Sequence, residues 1–197
     1  MGHDTDFTTL IGSRICHDLI SPIGAINNGV ELIQMSMPSM GPEMLLISES
    51  VNNASARIRF FRIAFGAAGD QVVGRPEVIS ILKDVYAAGR LTVAWGPLDG
   101  QPRKAVRRCF LALLCLETGM PYGGRIEVAV EGDDMVLTGH ADKFNIDAEL
   151  WGLLDGTPRS DELRPAQVQF GLLPKIMADE ARTVSVDMTD SLITVKV

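Results

Sequence analysis

Among the three histidines of this 197-residue chain, one sits where it could do chemistry. His17 lies in Arg14-Ile15-Cys16-His17-Asp18-Leu19-Ile20-Ser21-Pro22-Ile23, a pattern that continues to Ile33. Apolar residues recur at Ile15, Leu19, Ile23, Ile26, Val30 and Ile33, the spacing of one face of an amphipathic helix. At about 100° per residue, His17 points roughly 165° away from the mean direction of that seam. Ser21, Gly24 and Asn28 follow His17 at helical spacing on the same outward side. They are small or polar, so another protein's backbone could approach the imidazole. An exposed histidine followed by Asp18, on a ridge of little bulk, suits a nucleophile that must meet a large partner.

A His-Asp pair on a helix surface is ordinarily just solvated. Pro22 argues for more, because a proline inside a helix removes a hydrogen bond and costs about 3 kcal/mol. A kink five residues after His17 implies a purpose that offsets the cost.

His17-Asp18-Leu19 followed by Ser21-Pro22 resembles the H-box of histidine-kinase dimerisation helices, where an acidic residue and then a proline follow the phosphoacceptor histidine. With Phe61-Arg62-Ile63-Ala64-Phe65-Gly66, the chain resembles the ChpT-type histidine phosphotransferases, most strongly over 14–33 and 57–66.

Composition agrees with a globular protein. Hydrophobic residues make up 46% and charged residues 22%, slightly apolar for a monomer. A net charge of −7 argues against nucleic acid as a partner. No run of 18 apolar residues exists and the first residues are polar, so neither a membrane span nor a secretory signal is expected, and the location is cytoplasmic. Cys16, Cys109 and Cys115 lack C-x-x-C spacing and read as reduced, inert thiols. Three histidines without paired ligand spacing speak against a zinc site.

The elements that must carry His17 are helical. The first helix starts near Asp4–Asp6 and ends around Met35–Met37, before Pro38-Ser39-Met40-Gly41-Pro42 turns the chain. The second spans about 42–66, with a seam at Ile47, Val51, Ala54, Ile58, Phe61 and Phe65. A short connection makes the two an antiparallel hairpin. Phe7, Leu10, Ala25 and Leu32 fall off the first seam. One hairpin leaves this apolar surface uncovered, so two are expected to pair as a homodimer in a four-helix bundle. Arg57, Arg59 and Arg62 cluster near the end of the second helix, either as compensation of the helix dipole or as contacts to an acidic docking partner. Gly66-Ala67-Ala68-Gly69 closes a hairpin domain of residues 1–69.

Residues 70–197 change texture. Helices are expected at 76–88, 102–118, near 147–154 and near 165–180. Strands are expected at Leu91–Trp95, Arg125–Glu131, Met135–Gly139, Thr183–Met188 and Ser191–Val197, with Gly123-Gly124 and Gly132-Asp133-Asp134 as turns. Helices and antiparallel strands in this order make a two-layer α/β sandwich, so the whole chain is α+β.

That order resembles the GHKL, or Bergerat, ATP-binding domain of histidine kinases, but the residues that hold nucleotide there are changed. Cys115 stands where the family has a magnesium-binding Asn, and a thiol is a poor ligand for a hard cation. His140-Ala141-Asp142-Lys143-Phe144-Asn145 replaces the box Asp-x-Gly-x-Gly, with no glycines to cradle phosphates. The later glycine box survives only as Phe170-Gly171-Leu172-Leu173. The reading is a degenerate ATPase-like domain that binds no ATP, with Lys143, Phe144 and Asn145 occupying the cavity and His140 a strand-end residue.

The resemblance implies a phosphorelay. His17 takes a phosphoryl group from the receiver-domain Asp of a hybrid kinase and passes it to the receiver Asp of a response regulator. Asp18 holds the imidazole tautomer, Ser21 contacts the phosphoryl group or a water, and Gly24, Asn28, Arg57, Arg59 and Arg62 dock the receiver. No cofactor is bound by this chain, and Mg2+ is carried by the receiver. The competing readings are an ATP-dependent kinase core, a non-catalytic dimeric scaffold in which His17 is incidental, and, more distantly, a metal-dependent His-Asp hydrolase.

Overall fold

The computed structural model describes residues 7–36, 41–67, 69–87, 89–157 and 162–197. The chain divides into two compact units, Met1–Ala67 and Ala68–Val197. The expected helix start at Asp4–Asp6 and most of the turn after Met37 lie outside the described residues.

The first unit is a hairpin of α1 (Phe7–Ser36) and α2 (Pro42–Ala64). α1 runs through Pro22 as one helix. α2 starts with Pro42 directly after Gly41, where the missing N–H costs nothing, and with Glu43 in the first turn, favourable at the positive end of the helix dipole. It stops where the Phe65 N–H donates to the Phe61 carbonyl at 2.8 Å. A Cβ on Gly12 would stand 3.1 Å from the Phe65 carbonyl oxygen, so the end of α2 packs tightly on α1 there.

The packing corrects the expected seam. Cys16 and Val30 are buried and Ile23 is half-buried, whereas Ile15, Leu19, Ile26 and Ile33 are 39–54% exposed. The buried direction of α1 is rotated roughly 50° from the seam read in the sequence. An apolar stripe wider than one helix contact has simply been divided, part inward and part outward. In α2 the buried residues are Ala56, Phe60, Ile63 and Ala64, while the expected seam residues Val51, Ala54, Ile58, Phe61 and Phe65 are half-buried and Ile47 is exposed.

The second unit holds β1 (Val72–Val73), α3 (Arg75–Tyr86), β2 (Leu91–Trp95), β3 (Gln101–Pro102), α4 (Arg103–Gly119), β4 (Gly124–Glu131) and β5 (Asp134–His140). It continues with α5 (Ala148–Gly152), α6 (Val168–Asp179), β6 (Ser185–Met188) and β7 (Leu192–Lys196). The main sheet runs β2-β4-β5-β7-β6, and β1 pairs with β3 in a separate small ribbon that the sequence did not suggest. β2 is parallel to β4, not antiparallel as expected, because the chain returns through α4 between them.

One face of the sheet is apolar, with Ile126, Val128, Met135, Leu137, Ile193 and Val195 at 0–2% exposure. Arg125, Glu127 and Ala129 alternate to the other, exposed face. α4 is buried along nearly its whole length, from Ala105 to Leu113 without a break, so it is the central helix under the sheet. It carries two buried cations, Arg107 and Arg108 at 7% and 5% exposure. Arg108 pairs with Glu180, just after α6, at 2.5 Å.

Gly123 and Gly124 are required by their backbone, with φ of 99° and 143°. A Cβ at Gly124 would come within 2.3 Å of the His140 carbonyl oxygen. Gly124→Ala is therefore expected to cost roughly 2 kcal/mol, measured by urea unfolding. The β4–β5 turn places Gly132 at the first of two central positions with φ 62°, as two-residue hairpins demand.

Candidate functional site

His17 is exposed on α1, beside Cys16, which is 7% exposed and faces inward. The alternation is what a helix dictates: adjacent residues differ by about 100°, so a buried neighbour turns the imidazole outward. Ser21 and Asn28 are exposed further along the same ridge, and Gly24 between them is half-exposed with open space where a Cβ would be. Leu32 and Met35 extend the ridge and are 66% and 85% exposed. Leu32, expected on a dimer surface, lies instead on the histidine's side, and Met35 joins it there. Their signal was an apolar residue off the seam, on the histidine's side. Asp18 follows His17 in α1, and its side chain lies outside the described residues.

Arg62 approaches this turn from α2. Burial pushes the Cys16 thiol up from its ordinary range, and the Arg62 charge draws it part-way down. Arg62 is therefore within electrostatic reach of the turn that carries His17. Arg62 is exposed, whereas Arg57 and Arg59 are half-buried. Phe61 packs against Phe65 at 5.5 Å between ring centroids, which stiffens the last turn of α2.

The nucleotide-like positions of the second unit look different. Cys115 is fully buried in α4, and desolvation raises its thiol well above the ordinary range. The far end of α4 is covered by aromatic side chains. Trp151 and Phe170, at 4% and 0% exposure, meet edge to face at 5.4 Å, and a Cβ on Gly119 would stand 2.8 Å from the Trp151 ring. Gln169, also buried, donates to the Thr118 hydroxyl at 3.2 Å. Lys143 and Asn145, expected to fill a cavity, are instead exposed, with Phe144 half-buried and the Lys143 ammonium 5.2 Å from the Tyr122 ring centroid. His140 ends β5 at the surface, in a polar cleft with Asp142, Lys143 and Ser191.

The sequence pattern of the histidine phosphotransferase C-terminal domain matches residues 75–191. The chain belongs to this histidine phosphotransferase family. Over 132 residues, 66% of the chain, it is 39% identical to the protein phosphotransferase ChpT of Brucella abortus (strain 2308), and the match spans 63% of that relative. A 1.7 Å structure of a bacterial phosphotransferase is 28% identical, with a TM-score of 0.71 over 100% of this chain and 97% of the other. The family pattern thus lies in the second unit, while His17, Arg57, Arg59 and Arg62 lie in the hairpin before it. Among the described residues, no helix of this family member is long and apolar enough to cross a membrane.

Proposed function

We propose that the protein is a cytoplasmic phosphorelay histidine phosphotransferase that carries the phosphoryl group on His17. The observation that bears most weight is the exposed imidazole of His17 on a low ridge, set against a separate, uncovered apolar stripe. A receiver aspartyl phosphate gives up its phosphoryl group as the P–O bond breaks and a P–N bond forms at Nε2, with the ring proton on Nδ1. The second transfer reverses these bonds on the receiver Asp of a response regulator. The transition state is loose, so positioning and cations dominate. Mg2+ is assigned to the receiver, Asp18 to holding the tautomer and Ser21 to the phosphoryl oxygens. Gly24 and Asn28 let the receiver approach, with Leu32 and Met35 as apolar contacts beyond them.

The donor in this reading is a protein, not ATP. The buried thiol at Cys115 and the aromatic side chains over the end of α4 support a packed core in place of a nucleotide cradle. The test is to incubate the protein with a labelled phospho-receiver and, separately, with labelled ATP. Label on His17 is expected from the first alone; label from ATP restores the kinase reading.

A second copy is proposed to cover Ile15, Leu19, Ile26 and Ile33. Their mean direction lies roughly 175° from His17, so the dimer leaves the imidazole open. Ile26→Asp is expected to weaken the dimer at least about a hundredfold by sedimentation. A wild-type monomer at high micromolar concentration would refute the bundle.

Arg59 and Arg62 are proposed to steer the acidic receiver. Reversing both to Glu is expected to slow transfer about tenfold at low salt and far less above 0.5 M. Equal rates at low salt leave these residues as compensation of the helix dipole.

A further inference from the structure

We infer that the open edge of β2 receives an extended acidic peptide segment of a partner protein as an added strand. β2 is the outermost strand of the sheet and pairs with β4 on one side only. The Gly124 N–H donates to the Arg90 carbonyl at 3.1 Å, and the Gly96 N–H donates to the Val128 carbonyl at 2.8 Å. Backbone groups of successive strand residues point to opposite edges, so Thr92 and Ala94 complete the set aimed at β4. Val93 and Trp95 aim their N–H and C=O groups the other way. Among the described residues, no backbone hydrogen bond outside the ladder engages them.

Beside this edge runs a groove of about 440 Å³, walled by Ile79, Leu82, Lys83 and Tyr86 of α3 and by Val93 and Trp95 of β2. An apolar groove between a helix and an edge strand suits a bound strand, whose backbone pairs with the edge while alternate side chains enter the groove. Trp95 is 7% exposed, and its indole N–H is buried with no acceptor, a donor left for the incoming chain. Among the described residues, Lys83 is the one charged side chain lining the groove, and it stands exposed on α3. The Lys83 ammonium on the groove wall, beside an open backbone edge, pairs with an acidic residue set among apolar ones in the incoming strand.

A library of random decapeptides panned against the full chain is expected to yield sequences that alternate apolar residues with Asp or Glu. Proline is tolerated on an edge strand where its missing N–H faces outward, so Val93→Pro should keep the fold and weaken the selected peptides at least about tenfold. Lys83→Glu, at an exposed helix position, should weaken acidic peptides similarly and shift selection toward basic ones. If Val93→Pro does not fold, the charge reversal alone decides. The proposal is overturned if no peptide is recovered, if binding ignores both substitutions, or if the edge proves to pair with a second copy, seen as self-association abolished by Val93→Pro.

Discussion

His17→Gln is expected to abolish labelling by a phosphorylated receiver, a loss of at least about a thousandfold, because it removes the attacking nitrogen rather than weakening it. The substitution is at an exposed helix position, so stability should move by no more than about 0.5 kcal/mol and the helical signal should persist. Phosphohistidine carries a P–N bond that hydrolyses in acid, so authentic label is lost at low pH and kept at high pH. Ser21→Ala should reduce the rate modestly and leave the label in place. Label that survives in His17→Gln, on His140 or any other residue, removes the central claim. The dimer variant Ile26→Asp separates nucleophile from scaffold: it should weaken self-association while retaining a competent imidazole.

The second large effect concerns the Arg108–Glu180 pair. Arg108 is 5% exposed and its Nε is already without a partner, so Glu180 is the charge that holds its guanidinium in the core. Glu180→Ala leaves a buried cation uncompensated and is expected to cost roughly 3–5 kcal/mol. That should lower the melting temperature by about 10 °C or more. The pair itself is expected to contribute little beyond offsetting its own desolvation. Replacing both partners, as Arg108→Met with Glu180→Leu, should therefore recover most of the loss. Urea unfolding of the two single variants and the double variant checks this. A Glu180→Ala protein as stable as wild type shows that Arg108 has reached water or another anion.

Local spacing alone determined much of this protein. The 3.6-residue period places His17 opposite the seam, the prolines and glycines punctuate the hairpin, and Gly123-Gly124 marks the turn whose positive φ angles admit no side chain. The expectation that the second unit holds no nucleotide also comes from local sequence, from Cys115 and the glycine-free run after Gly139. These features are read from neighbours within a turn or two, where covalent geometry limits what the chain can do. Four things only the tertiary structure decided. The stripe on α1 is too wide for one partner, and packing chose Cys16 and Val30 to face inward while Ile15 and Leu19 stay out. β2 runs parallel to β4 because α4 carries the chain back. Arg108 finds Glu180 across 72 residues of sequence. Trp151 and Phe170, not Lys143, cover the end of α4. Each depends on contacts between residues far apart in sequence, and such contacts leave no periodic trace in the segments that make them.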